Sequence, residues 1–71
     1  MALPLQPGDT GPMVTQMQQA LVAKGFSVGP AGADGIFNPD TLSGLEAFQD
    51  DNALAIQPLC DQQCWTALGL S

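Results

Sequence analysis

The eight residues Asp34-Gly35-Ile36-Phe37-Asn38-Pro39-Asp40-Thr41 constrain this chain more than any other stretch. Asp-Gly marks a tight turn, because glycine enters the left-handed region without a Cβ penalty. Asn38 suits an N-cap, Pro39 suits the first helical position, and Asp40 adds negative charge to the first turn. Leu42, Leu45 and Phe48 then recur at helical spacing, which predicts a helix ending near Asp50. Gly44 weakens that helix by about 1 kcal/mol relative to alanine, so close packing is expected there.

A weaker copy of this unit follows. Shifted by 23 positions, residues 34–45 align with residues 57–68. Ile36 then meets Leu59, Leu42 meets Trp65, and Leu45 meets Leu68. Asp61 falls at the cap of a third helix that carries Cys64, Trp65 and Leu68 and ends at Gly69. A second echo matches Val14-x-x-Met17-Gln18 with Leu45-x-x-Phe48-Gln49. The same helical register is used in both, with glutamine after the larger apolar residue.

The first helix is expected from Pro12 to about Lys24, with Val14, Met17 and Leu21 buried and Ala20 beside them. Gly25 fits the position just past its end, and Lys24 sits favourably at the negative end of the dipole. Residues 25–38 are glycine-rich, yet Phe26, Val28, Ile36 and Phe37 are apolar. The loop should therefore pack onto the core, and ordered loops of this length are often functional. The expected fold is all-α: a small three-helix bundle with one long ordered loop between the first two helices. A single domain over 1–71 is expected, with its core at about 3–70.

Seventy-one residues bury only about 60% of their unfolded surface. A shallow groove is easier to build at this size than an enclosed cleft. Lys24 is the one basic residue against seven acids. That balance excludes nucleic acid, whose binding requires cations that displace phosphate counterions. It equally disfavours anionic membrane surfaces. A partner should be neutral, zwitterionic or basic. No segment approaches the roughly 18 apolar residues of a membrane span. The N-terminal residues lack the basic and apolar regions of a signal peptide. A role outside the cytoplasm would require a signal or a parent chain beyond this sequence, or another export route.

Nothing in the sequence assembles a catalytic centre. There is no histidine, and Ser27, Ser43 and Ser71 have no partner base. Asp50 and Asp51 are sequence neighbours at a helix end, whereas a glycosidase needs two carboxylates facing each other across a cleft. The chain is read as no enzyme, without cofactor or metal. Cys60 and Cys64 are too few for a zinc site and are not spaced as a C-x-x-C redox motif. Residues four apart on a helix lie close enough for a disulfide. Such a bond would stabilise by roughly 2 kcal/mol. In an oxidising compartment it is the expectation; two reduced, buried thiols are the alternative.

Taken in order, Gly8-Asp9-x-Gly11-Pro12-x-Val14-x-x-Met17-Gln18-x-x-Leu21-x-x-x-Gly25-Phe26, Asp34-Gly35-x-Phe37-x-Pro39-x-Thr41, Phe48-Gln49 and Trp65-x-x-Leu68 form a pattern. It resembles the three-helix peptidoglycan-binding domain of bacterial and phage cell-wall hydrolases. A relative of that domain forms the pro-segment of matrix metalloproteases. The likeness covers nearly the whole chain, from about Leu3 to Leu70. The metalloprotease cysteine switch is absent, so Cys60 and Cys64 are not read as metal inhibitors.

The resemblance implies a non-catalytic wall-binding module, outside the cytoplasm, that targets a tethered or separate hydrolase to peptidoglycan. Its ligand would be the stem peptide or the glycan, and a monomer is expected. It points to Asp34, Gly35, Phe37, Thr41, Gln18, Gln49 and Trp65 as ligand-binding candidates. Each also has a structural reading: turn, loop fastener or core aromatic. Trp65 is the aromatic expected to be partly exposed, and a groove is expected beside the 25–38 loop and the start of the second helix. The chain departs from the family at Asn38, where glycine is usual, and in the second copy. There an Asp-Gly-x-x-Gly-Pro-x-Thr-Trp pattern has become residues 57–65, and a Cys60–Cys64 staple would replace the lost turn. With a degenerate second copy and a net charge of −6, the rival reading is an acidic protein-interaction module on the same fold, its wall site lost. A pro-domain or intramolecular spacer is a third reading.

Overall fold

A computed structural model describes residues 3–70; Met1, Ala2 and Ser71, including that serine's lack of a base, lie outside the described residues. Three helices follow in order: α1 (Pro12–Ala23), α2 (Pro39–Asp51) and α3 (Gln62–Ala67). This is the all-α architecture the sequence predicts. Pro12 and Pro39 open their helices, where a missing N–H costs nothing. Asn38 caps α2 through a 2.8 Å bond from the Thr41 amide to Oδ1. Asp61 caps α3 in the same way, with the Cys64 amide 2.9 Å from Oδ1.

All three helices end alike. The amide of Phe26 bonds to the Leu21 carbonyl, Leu54 to Gln49, and Leu70 to Trp65, each closing a six-residue reverse turn. The residue before each of these amides is left-handed: Gly25 at φ 93°, Ala53 at φ 58° and Gly69 at φ 84°. This is the Schellman arrangement, which supplies donors for the last free carbonyls of a helix. Only the middle one lacks glycine.

The core draws Val14, Met17 and Leu21 from α1, Leu45 and Phe48 from α2, and Cys64 and Trp65 from α3. Leu5, Val28, Phe37 and Cys60 enter it from the connecting segments. The long loop packs as expected, and Phe26 meets Phe48 edge-to-face with centroids 5.7 Å apart. Gly44 is the close approach foreseen: a Cβ there would collide with the Ser27 carbonyl oxygen.

Two isolated antiparallel bridges tie the N-terminal arm to the loops, Leu5 to Cys60 and Thr10 to Ile36. Both amides and both carbonyls of the first pair are used, at 3.0 and 2.8 Å. Phe37 is held similarly, donating to the Asp9 carbonyl at 2.9 Å and accepting from Gly8 at 3.0 Å.

Three expectations change. Ile36 leaves the core and is 49% exposed. The segment is extended there, so neighbours alternate sides: Gly35 and Phe37 turn in and Ile36 turns out. Trp65 is only 6% exposed, because the short α3 has a single inward face and the indole fills it. Cys60 and Cys64 are free thiols, both buried, rather than a disulfide. The Cys60 thiol lies 3.9 Å from the Asp61 carbonyl, and both cysteines occupy the core as small apolar side chains.

Candidate binding groove

Gln18 is the centre of the first loop. Its side chain is completely buried, so each polar atom needs a protein partner. Oε1 accepts from the Gly35 amide at 2.8 Å. Nε2 donates to the Ile36 carbonyl and to Thr41 Oγ1, both at 2.9 Å. A longer contact of 3.2 Å reaches Asp34 Oδ1. That same carboxylate oxygen accepts from the Ile36 amide at 3.1 Å, closing an Asx-type turn. One glutamine of α1 therefore fixes the Asp34–Ile36 turn and the first turn of α2.

Gln49 repeats this arrangement in the second copy. Its Nε2 donates to the Leu59 carbonyl at 2.9 Å, and Oε1 accepts from the Gln57 amide at 3.0 Å. Its amide also reaches the Cys64 thiol. Leu59 and Cys64 are the counterparts of Ile36 and Thr41 under the 23-residue shift. Cys64 thus stands in for the threonine hydroxyl as the glutamine's acceptor. The Cys60 thiol bonds to the Cys64 sulfur, and this contact, with burial, pushes Cys60 well above the usual thiol range. The same contact, helped by Gln49, lowers Cys64, against the opposing effect of burial.

Burial decides what the candidate residues can touch. Gln18, Thr41 and Gln49 are fully enclosed, and Phe37 is 2% exposed. These four build the loops and core, with almost no side-chain surface exposed. Trp65 is likewise a core residue, so no aromatic platform for sugars forms from Phe37, Phe48 and Trp65. Asp34 is exposed; Gly35 is buried at φ 81°, with a Cβ only 2.8 Å from Thr15 Oγ1 were one present. The structure brings Asp34, Gly35, Gln18 and Thr41 together and leaves Gln49 and Trp65 with the second copy.

Above the Gln18 network lies an open groove of about 590 Å³. One side is Pro12, Thr15 and Gln16 of α1, continued by Thr10 and Gly11, which pair with the turn itself. The other is Asp34, Gly35 and Ile36. The groove therefore flanks the start of α1, not the start of α2 as the sequence implied. A second shallow depression of about 400 Å³ follows the loop from Val22 to Gly32 and is lined almost entirely by apolar atoms and backbone. The α1 wall was missed because Thr15 and Gln16 read as an ordinary polar helix face. The available signal was Ile36, an apolar residue at the outward position between Gly35 and Phe37.

The second copy has no comparable groove. Where the first has Gly35 the second has Pro58, and where α1 has Thr15 the matching position of α2 is Glu46. The cavity on that side holds about 10 Å³, too little for more than a single water.

Comparison with known proteins identifies the family and the fold. Residues 10–68 match the model of a family described as "Putative peptidoglycan binding domain". The chain is 35% identical over 52 residues to the N-acetylmuramoyl-L-alanine amidase CwlL of Bacillus licheniformis, covering 73% of this chain but 14% of the amidase. The N-terminal domain of SleB superposes with a TM-score of 0.88 at 28% identity, over 97% of this chain and 92% of that one. An L,D-transpeptidase of Xylanimonas cellulosilytica superposes at 0.87 with 30% identity, over 97% of this chain and 33% of that one. The motif order, the fold and these likenesses agree: the chain belongs to the peptidoglycan-binding domain family.

Proposed function

We propose that this domain is a non-catalytic module that binds peptidoglycan in the groove between α1 and the Asp34–Ile36 turn. The observation that supports it most is the groove's construction. A fully buried glutamine holds one exposed turn through its amide nitrogen and oxygen while anchoring it to Thr41 of α2. The first-turn residues of α1 face that turn across the opening. Hydroxyls, an amide and a carboxylate line it beside Pro12 and Ile36, a mixture suited to an uncharged or cationic polar ligand.

The module acts as one unit over 1–71 and works as a monomer outside the cytoplasm, attached to or alongside a wall enzyme. CwlL and the transpeptidase support that placement, since each is named for wall chemistry and is far longer than the region it shares with this chain. Among the described residues no helix is long and apolar enough to cross a membrane. Binding by one shallow groove is weak, and its use is to raise the local concentration of the enzyme at its substrate. Catalysis lies elsewhere, because the sequence offers no histidine and no nucleophile with a base.

Co-sedimentation with purified peptidoglycan sacculi tests the reading. At high micromolar protein, the domain should pellet with sacculi, and Ile36→Glu should remain in the supernatant while keeping its circular dichroism. Recovery of the wild type wholly in the supernatant would overturn the proposal. Capture instead by a basic protein at low salt, released at high salt, would establish the acidic-interaction reading.

A further inference from the structure

We infer that the groove selects stem peptides carrying a free side-chain amine, with Asp34 as the ammonium acceptor and Ile36 as the support for the alkyl stem. The inference rests on the wall-binding reading and specifies which part of the polymer is recognised. Charge complementarity carries it. Asp34 is the sole ionisable residue on the groove walls, and no cation lies among them. The chain's single basic residue, Lys24, is at the far end of α1.

The carboxylate is also pre-oriented. Its Oδ1 is engaged by Gln18 Nε2 at 3.2 Å and by the Ile36 amide at 3.1 Å. These contacts anchor Oδ1 and leave Oδ2 for a ligand, which reduces the orientational freedom lost on binding. Ile36, two residues on, is 49% exposed and lines the groove. Pro12 faces it from the opposite wall. A carboxylate beside an apolar strip matches an aminoalkyl chain: methylenes lie on Ile36 and the ammonium reaches Asp34. An acylated side chain would bring no positive charge to Asp34 or to the net charge of −6.

The groove admits one such chain per molecule. In the second copy, Gln57 replaces the acid and Pro58 the glycine, and the cavity there is too small for a side chain. Binding is therefore expected at one site.

NMR titration with a soluble disaccharide–tetrapeptide containing lysine or diaminopimelate tests this, against the same fragment N-acetylated at the side-chain amine. The free amine should shift the amides of Thr15, Gln16 and Asp34–Ile36. Acetylation should weaken binding by about tenfold or more, the scale of one charge-assisted hydrogen bond. Asp34→Asn, which keeps an Oδ1 acceptor for the Ile36 amide, should weaken the free-amine fragment to the same level and leave the acetylated fragment unchanged. Equal affinity for both fragments, or shifts confined to another face, would overturn the inference while sedimentation with sacculi could still succeed. Failure of both assays would remove the wall-binding reading itself.

Discussion

Gln18 Nε2 donates to Thr41 Oγ1 across 2.9 Å, joining α1 to the first turn of α2 through two fully buried side chains. The same amide nitrogen holds the Ile36 carbonyl, and its oxygen holds the Gly35 amide. Gln18→Leu keeps the volume and removes these three contacts at once, together with the longer one to Asp34 Oδ1. A buried group left unpaired costs about 1–3 kcal/mol. The expected loss is about 3 kcal/mol or more, a large part of the 5–15 kcal/mol that stabilises ordinary domains. Urea melts should show it, and Gln49→Leu should cost less, about 2 kcal/mol, because each strands two backbone groups but Gln18 also holds Thr41 Oγ1 and Asp34 Oδ1. An unchanged midpoint for Gln18→Leu would remove the network from the fold's essential contacts.

Ala53 ends α2 in a conformation that glycine adopts at the ends of α1 and α3. An L-residue pays roughly 1–2 kcal/mol for the left-handed region. Ala53→Gly should relieve about 1 kcal/mol of this, less the extra freedom that glycine gives the unfolded chain. For a domain of this size the midpoint of thermal unfolding should rise by up to about 4 °C. A fall would mean that the alanine is not strained in solution.

Asp61 gives α3 its cap and a pH dependence. The Cys64 amide, then Gln57, holds its carboxyl below the usual carboxylate range. A depressed carboxylate contributes stability above its unfolded pKa, about 3.9, and loses it as pH falls through the folded value. Asp61→Asn retains the capping acceptor but does not titrate. The stability difference between wild type and Asp61→Asn should stay constant from about pH 7 to 5 and shrink below about pH 4. Denaturant melts at a series of pH values measure it; a gap that widens on acidification would mean that folding raises this carboxyl's pKa instead of lowering it.

Cys60 and Cys64 are buried neighbours with free thiols. In the folded protein neither should react readily with an alkylating reagent, and both should react in urea. Cys64→Ser preserves an acceptor for Gln49, whereas Cys64→Val does not. Valine should therefore be the more destabilising by about 1 kcal/mol in urea melts. A mass lower by two hydrogens, restored by reductant, would replace the free thiols with the disulfide that the sequence spacing permits.

Local chemistry made the helices legible in the sequence. Pro12, Asn38-Pro39 and Asp61 start them, Gly25 and Gly69 end two of them, and apolar spacing marks their inner faces. These signals act within one turn of chain, so they need no knowledge of distant contacts. The repeat, too, was visible, because the same register of apolar residues recurs. What the tertiary structure decided was which side of each loop faces water. Ile36 and Trp65 are both large and apolar, yet extended backbone turns Ile36 outward and α3 carries Trp65 into the core. Gln18 and Gln49 look like surface residues by type, but their amides are enclosed because two loops close over them. The groove depends on the pairing of Thr10 with Ile36, a contact between segments 26 residues apart (36 − 10). Composition, periodicity and spacing describe neighbours along the chain; only the folded chain brings that pair together.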